Sequence, residues 1–324
     1  MSGAAGAGGP GRPPAAPAAP AAPDPSVVPA APAASARSAA SATTRRRLVD
    51  LPWWLVLLLA GAGWWLATQS GDPGTQATLR VLARGLAVTV RVTLVSFVLA
   101  LVIGTAVGLA RVSQRRWLRE LATLYVEVIR GVPLLVLILW IGYALVPTVM
   151  GFLVAQLKDL AAAGHDPGGW AARLAAACRR PADCASMELR GVLGLAIGYG
   201  AYVAEIVRAG IEAVARGQWE AAASLGLGRA QVLRLVVLPQ ALRVAMPPLG
   251  NDLVAMLKDS ALISVLAVPD IVQEARQHVA RTFKALEVWN LVALVYLVLT
   301  VLLSLGLRRM ERHLAQGRQG AGDA

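Results

Sequence analysis

The chain has 324 residues, of which 56% are hydrophobic and 15% are charged, and its formal net charge at pH 7 is +12. This is the composition of a membrane protein. The arginines lie in short loops beside apolar stretches, without interleaved aromatic residues along one face, so membrane topology explains the positive charge and nucleic acid is excluded as a partner. With two cysteines and three scattered histidines, neither a metal site nor a cofactor is predicted.

Both chain ends are predicted to be cytoplasmic tails. Residues 1–47 are mostly Ala, Pro, Gly and Ser, which bury too little apolar surface to offset the entropy of ordering, so we expect a disordered tail. Residues 48–79 are expected to form an additional transmembrane helix and a linker. The apolar run 51–68 in that region lacks the pattern of a cleaved signal peptide. Residues 313–324 form a short second tail.

Six stretches are long and apolar enough to cross a bilayer core of about 30 Å, which needs about 20 mostly apolar helical residues. They are 51–68, 86–110, 132–157, 189–211, 245–268 and 288–307. We therefore predict an all-α membrane protein with about six transmembrane helices.

Arginine clusters orient these spans. They precede the first span, follow the second, lie between the fourth and fifth, and follow the sixth, so all of them share one side if the spans alternate. Arg80 and Arg84 lie on the other side and are outnumbered. By the positive-inside rule, the N terminus, the 220–239 loop and the C terminus are cytoplasmic.

The longest external connection is an insertion at about 158–188, rich in Gly and Pro with mixed charges. It contains both cysteines. Cys178 and Cys184 flank a short segment whose Pro181 favours a turn, and the loop is expected to face an oxidising compartment. We predict a disulfide between Cys178 and Cys184 that closes the insertion.

Glycines four residues apart predict close helix contacts in two spans. Gly104 and Gly108 form such a step in the second span, and Gly194 and Gly198 form one in the fourth. Lipid gives no hydrophobic drive for helix association, so small residues that let backbones approach are favoured at helix interfaces. We assign these glycines to helix packing.

Opposite charges occur together in or beside three spans. The pairs are Glu127 with Arg130, Glu205 with Arg208, and Lys258 with Asp259. Charges inside a membrane cost roughly 2.5–3.5 kcal/mol each by insertion scales and usually face a bundle interior or a water-filled cavity. Members of the first two pairs are three residues apart on one helix face, so structural pairing and a pathway role both remain open. The adjacent residues of the third pair point in different directions, which favours translocation or gating.

The 220–239 segment is polar enough to leave the membrane, although it lies between two apolar stretches. Its sequence predicts two short helices broken at Gly226 and Gly228, with Pro239 ending the second. Small alanine faces would let another protein pack closely. We interpret the segment as a docking device.

Several motifs occur in a fixed order along the chain. They are Thr89 to Arg111, Tyr125 to Leu135, Ala201 to Arg208, Gly217 to Ala222, Leu238 to Arg243 and Leu257 to Ser260. Together they resemble the permease subunits of polar amino-acid ABC importers, the group that includes histidine and glutamine permeases. The resemblance covers about residues 80–312 and implies a five-helix type I ABC-importer permease core.

The resemblance also implies site residues. The docking segment is similar to the EAA loop that engages a cytoplasmic ATPase, with coupling residues Gly217, Glu220, Ala221, Ala222, Gly226 and Pro239. The matched Lys258-Asp259-Ser260 stretch adds Ser260 to the pathway candidates. The family often has Lys-Asp-Thr-Ser-Leu here, so this chain lacks one hydroxyl.

The implied assembly contains a cytoplasmic ABC ATPase dimer, a second permease subunit (a second copy or a paralogue), and an external solute-binding protein. It would lie in the bacterial inner membrane and import an amino acid. The chain has no Gly-x-x-x-x-Gly-Lys-Ser/Thr motif, so ATP hydrolysis is expected on another subunit and this chain is not an enzyme. A channel or a membrane-embedded enzyme, neither needing an ATPase partner, is the alternative interpretation.

Overall fold

The computed structural model describes residues 71–162 and 184–316, together with single positions between 53 and 68 and at residue 169. Side chains are described up to residue 160 in the first range and up to residue 310 in the second. These two ranges belong to the compact unit from Leu58 to Ala324. Every regular element among the described residues is helical. The predicted all-α class is confirmed.

Short connections join consecutive described helices, except between the fourth and the fifth. In chain order they are α1 (Pro73–Arg111), α2 (Arg116–Gly131), α3 (Leu134–Trp140), α4 (Val146–Ala162), α5 (Met187–Glu212), α6 (Arg216–Ser224), α7 (Arg229–Gln231), α8 (Leu238–Asp259), α9 (Ile271–Thr282) and α10 (Ala285–Gln316). Two π-helical segments, Ile141–Leu145 and Val232–Val237, and the 3₁₀ segment Ser260–Leu266 continue the helices that precede them.

Among the described residues, five helical stretches are long and apolar enough to span a membrane by length and composition. They are Pro73–Arg111, Leu134–Leu160, Met187–Glu212, Arg229–Leu266 and Ala285–Met310. Each overlaps one of the predicted spans, which are thereby confirmed as long apolar helices. The remaining predicted span, 51–68, lies outside the described residues except for single positions.

Helix α5 lies at the centre of the bundle. In its most apolar stretch 56% of the residues are buried, against 11% in the last span. A Cβ added to Gly104 of α1 would lie 2.4 Å from the Cβ of Val203, and one added to Gly108 would lie 2.8 Å from that of Val207. The glycine step of α1 therefore packs directly on α5 as predicted, and the two helices run parallel because both contacts advance together along the chain.

The glycine step of α5 faces α3. A Cβ on Gly194 would lie 3.1 Å from the Cγ1 of Ile138, and one on Gly198 would lie 2.6 Å from the Cδ1 of Leu134. These close approaches also agree with the predicted packing role. Helices α1, α3 and α5 therefore form a core held together through small residues.

The predicted helix end at Pro239 is wrong, whereas its coupling role stays a prediction. The helix does not end there but continues from Arg229 to Leu266. Pro239 lies in the first turn of α8, directly after the π-helical Val232–Val237, where the N–H of Leu238 bonds the carbonyl of Leu233 five residues back. Inside a continuous helix the missing N–H of a proline interrupts the regular hydrogen bonding, and here it follows a π-helical stretch in which that bonding is already irregular.

Most of the predicted external insertion falls outside the described residues, including Cys178. Cys184, at the start of the second described range, is disulfide-bonded. The pairing of Cys178 with Cys184 stays a prediction. Ser186 then caps α5, because its Oγ accepts a hydrogen bond from the N–H of Leu189 at 3.1 Å.

Candidate functional site

The docking segment forms a short helix that ends in a glycine turn. At the end of α6, the N–H of Gly226 bonds the carbonyl of Ala223 at 2.9 Å, and the N–H of Leu227 bonds that of Ala222 at 3.4 Å. Gly226 has φ +79°. This is the Schellman arrangement, in which glycine takes a left-handed conformation that costs other residues free energy. The predicted break at Gly226 and Gly228 is thus present.

Ala222 holds the docking segment against the spans. It is buried in a hydrophobic cluster with Ile211, Val214, Val232 and Val237. These partners come from the end of α5 and from the π-helical stretch, so the cluster joins α6 to two spans. The coupling candidates Gly217, Glu220 and Ala221 are exposed instead.

The exposed face of α6 follows helical spacing. Residues 217, 220, 221 and 224 are three or four positions apart and all lie at the surface. Leu225, at the end of this helix, is 82% exposed. A large, exposed apolar side chain beside small residues provides a surface on which a partner protein can pack closely.

Four charged side chains form a network where α1 and α5 end. Glu205 forms ion pairs with Arg208, three residues on, and with Arg111 of α1, and Arg208 also pairs with Glu212. The structural pairing of Glu205 with Arg208 is therefore present. Arg111 is only 12% exposed, so the network fixes the two spans to each other just above the docking segment.

A line of polar and aromatic groups crosses the bundle from α2 to α8. The guanidinium of Arg130 lies 5.3 Å from the ring centroid of Tyr202, and the rings of Tyr202 and Tyr199 are 5.9 Å apart. The hydroxyl of Tyr199 donates to Oδ2 of Asp259 at 2.7 Å. On α8, Asp252 lies seven residues before Asp259, on the same helix face, and its Oδ2 is buried without a hydrogen-bond partner among the described residues.

The remaining pathway candidates are placed differently. Glu127 and Lys258 are exposed, and within the described part of the chain Arg130 stacks on Tyr202 and forms no pair with Glu127. Ser260 is fully buried, and its hydroxyl donates to the carbonyl of Leu257 at 2.7 Å. Of the predicted pathway residues, the structure thus joins Arg130 and Asp259 through two tyrosines, and it gives Ser260 a local backbone contact.

Sequence reasoning missed Arg111, Tyr199, Tyr202 and Asp252 as members of these clusters. In the sequence Arg111 is one of the arginines that follow the second span, and its pairing with Glu205 joins residues 94 positions apart. Asp252 carried a usable signal, because a seven-residue separation from Asp259 places both carboxylates on one helix face.

The opposite end of the bundle contains one buried carboxyl group. Asp270 is fully buried and caps α9, with its Oδ1 accepting from the N–H of Gln273 at 2.9 Å. Its Oδ2 has no hydrogen-bond partner among the described residues. Burial raises the pKa of Asp270 to about 6, although backbone donors and the charge of Arg276 act in the opposite direction.

The chain is similar to known transport proteins over most of its length. The model of the family described as binding-protein-dependent transport system inner membrane component matches residues 96–319. The chain is 32% identical to the glutamine transport system permease protein GlnP of Escherichia coli over 72% of its own length and 93% of the relative's. It is 32% identical to the arginine transport system permease protein ArtQ of Bacillus subtilis, over 72% and 92% of the two lengths.

Solved structures of ABC transporters are also similar to this chain. A crystal structure of an amino acid ABC transporter with histidines has a TM-score of 0.58 and 32% identity, covering 74% of this chain and 96% of the other. A methionine ABC transporter, MetNI, in an inward-facing conformation has a TM-score of 0.55 and 21% identity, covering 74% and 98% of the two chains. The second likeness supports the fold alone.

Proposed function

The chain belongs to the family of binding-protein-dependent transport system inner membrane components, as a permease subunit of an amino-acid ABC importer, and from this premise we propose its substrate and its partners. It carries polar amino acids into the bacterial cytoplasm. Two permease subunits form the pathway, an external solute-binding protein delivers the substrate, and a separate cytoplasmic ATPase dimer hydrolyses ATP. The names of relatives that transport glutamine and arginine support this substrate class.

The docking segment faces the cytoplasm in this proposal, together with both chain ends. Helices α1 and α5 run parallel and end in arginine-rich stretches, at Arg111 to Arg119 and at Arg208 to Arg229. Two parallel spans with positive residues at the same ends support a cytoplasmic location for those ends.

The observation that carries the coupling proposal is the way α6 is held. Its outer face is exposed, whereas Ala222 on its inner face is buried in the cluster that joins α5 and the π-helical stretch. A force applied to the exposed face by an ATPase would therefore reach two spans through one packed contact. Movement of the ATPase dimer would then change the relative positions of the spans.

A bulky residue on the exposed face tests this coupling. We expect Ala221→Trp to reduce ATP-driven amino-acid uptake about tenfold or more, because an indole there prevents close packing of the ATPase. Ala280→Trp is the matched control, since Ala280 is also an exposed helical alanine but lies on α9. Uptake and ATPase co-purification are measured in membranes with equal amounts of inserted protein. Normal uptake and co-purification by the Ala221→Trp protein would refute the coupling role.

The proposed pathway includes the line from Arg130 to Asp259. It joins three helical stretches of the bundle, and charges inside a membrane protein usually face a water-filled cavity or a partner. Asp259 has a hydroxyl partner in Tyr199 but no counter-ion among the described residues. A single net charge in this position is suited to contact a polar solute.

Two near-isosteric variants separate transport from structure. Asp259→Asn removes the charge but keeps an oxygen that accepts from Tyr199, whereas Tyr199→Phe removes the hydrogen bond but keeps the charge. If the charge serves transport, Asp259→Asn lowers uptake more strongly than Tyr199→Phe while both proteins assemble with the ATPase. Equal loss of assembly in both variants would indicate that the contact is structural.

A further inference from the structure

A basic cleft of about 630 Å³ lies beside the docking segment, where α1 and α5 end. Charged side chains from five helices line it: Arg111, Arg119, Glu212, Arg216 and Arg229. Arg111 is already paired with Glu205, and Glu212 with Arg208. The other three arginines form no ion pair with any residue that the structure describes. The cleft therefore has an excess of positive charge.

The floor of the cleft is apolar. Val112, Ile211, Val214 and Trp219 line it and belong to, or pack against, the cluster that anchors the docking segment. Unpaired guanidinium groups above an apolar floor suit a ligand that has an anionic group attached to an apolar body. A guanidinium binds phosphate oxygens through two parallel hydrogen bonds.

The position of the cleft points to a lipid. It lies at the adjoining ends of two membrane spans, which is the level of the phospholipid headgroups. Beside it, α2 presents Trp117, Leu121, Leu124 and Val128 at the surface, each more than half exposed and all three or four positions apart. A tryptophan at the start of such an apolar stripe is typical of the interface between headgroups and hydrocarbon.

The cleft and the docking face use different residues of α6. Arg216 and Trp219 line the cleft, whereas Gly217, Glu220 and Ala221 do not. The cleft also takes charged residues from α2 and α7, which are not part of the docking face.

We propose that this cleft binds the phosphodiester headgroup of an anionic phospholipid, with Arg119, Arg216 and Arg229 as its ligands. A bound headgroup would bridge α2, α6 and α7 through charge-assisted hydrogen bonds. Basic pockets between membrane helices are a known mode of anionic lipid recognition.

The proposal is tested with the purified full-length chain in a neutral detergent, titrated with phosphatidylglycerol or with phosphatidylcholine of the same chain length. Binding of the first lipid is measured by native mass spectrometry. We expect phosphatidylglycerol to bind more tightly than phosphatidylcholine. The double variant Arg119→Gln, Arg229→Gln should weaken phosphatidylglycerol binding about thirtyfold. Each arginine near an anionic lipid surface strengthens binding by a factor of about five, and the two factors multiply.

Arg234→Gln is the matched control, because Arg234 is an exposed arginine of the π-helical stretch Val232–Val237 and does not line the cleft. It should retain the affinity of the unaltered chain. A second measurement needs no variant: raising the salt from about 0.05 M to about 0.5 M should selectively release phosphatidylglycerol. Equal binding of both lipids, or unchanged phosphatidylglycerol affinity in the double variant, would overturn the proposal. Displacement of the lipid by an equal concentration of inorganic phosphate would assign the cleft to a soluble anion and overturn it as well.

Discussion

The two ends of the helix bundle differ in how a poorly exposed carboxyl group is compensated. Where α1 and α5 end, Glu205 is paired with two arginines, and the charges of the four-membered network compensate each other. At the other end Asp270 is fully buried, with one oxygen bonded to a helix N-terminus and the other without a hydrogen-bond partner among the described residues. The first end therefore compensates its charges through ion pairs, whereas burial at the second end favours a protonated carboxyl group on Asp270.

The largest effect is expected from breaking the paired end. Glu205→Gln leaves Arg111 and Arg208 without their shared counter-ion, and removing one partner of a largely buried ion pair costs about 4 kcal/mol of unfolding free energy. Glu212→Gln is the control, since Glu212 is 55% exposed and its pair is worth less than about 1 kcal/mol. Thermal unfolding in detergent measures both. Similar shifts for the two variants would contradict the central position of Glu205.

The next prediction concerns pH at the unpaired end. The fold raises the pKa of Asp270 from 3.8 to about 6, so the contribution of this group to stability is complete below its usual pKa and is lost as the pH rises through about 6. The loss amounts to about 3 kcal/mol at neutral pH. Asp270→Asn keeps a helix cap but cannot ionise, and its melting temperature should change less between pH 5 and pH 7, values that bracket about 6.

The control is the same substitution at an exposed cap. Asp72 caps α1 and accepts from the N–H of Thr75 at 3.0 Å. Asp72→Asn should keep the pH dependence of the unaltered chain. If Asp270→Asn also keeps it, another group is responsible for the pH dependence.

A smaller effect is expected at Gly85, where α1 packs closely against the start of α9. A Cβ on Gly85 would lie 2.7 Å from the Cα of Ile271 and 2.8 Å from the carbonyl oxygen of Asp270, both of them backbone atoms. We expect Gly85→Ala to cost about 2 kcal/mol, because the α9 N-terminus must move away. Gly306→Ala, with no atom within 4 Å of the added carbon, should not destabilise the chain. A neutral Gly85→Ala variant would show that α9 is loosely held.

The smallest effect is expected at the docking turn. Gly226→Ala places an alanine at φ +79°, which costs about 1 kcal/mol, and Gly226→Asn should cost less because asparagine tolerates the left-handed region. Neither effect should depend on pH, in contrast to that of Asp270→Asn. Limited proteolysis near residue 226 gives a local measure of this loss. Equal protection of all three proteins would mean that the turn is held by packing alone.

Local patterns were predictable from the sequence, whereas contacts across the bundle were not. The pairing of Glu205 with Arg208 follows from a three-residue separation on one helix, and the break at Gly226 follows from glycine chemistry. Arg111 joins the network only because α1 packs on α5, which no local pattern specifies. Five long apolar helices were predictable because length and hydropathy determine which segments can span a bilayer.

Pro239 illustrates the limit of residue rules. A proline usually ends or kinks a helix, so the sequence favoured an ending there. The π-helical stretch before it changes the hydrogen-bond partners, and the chain remains helical. The hydroxyl contact between Tyr199 and Asp259 was equally inaccessible, because it depends on how α5 and α8 are placed against each other.

The π-helical stretch Val232–Val237 also changes the direction in which the side chains after it leave the helix. Each turn bonded five residues back contains one residue more than an α-turn, so the side chains after it are rotated by about 100° relative to an unbroken α-helix. The angle between residues 229–231, beside the docking turn, and Asp252 and Asp259, farther along, therefore includes this rotation. Deleting one residue from the stretch would restore uniform α-bonding but would rotate both carboxylates relative to the docking turn, even though no residue in either place had been altered.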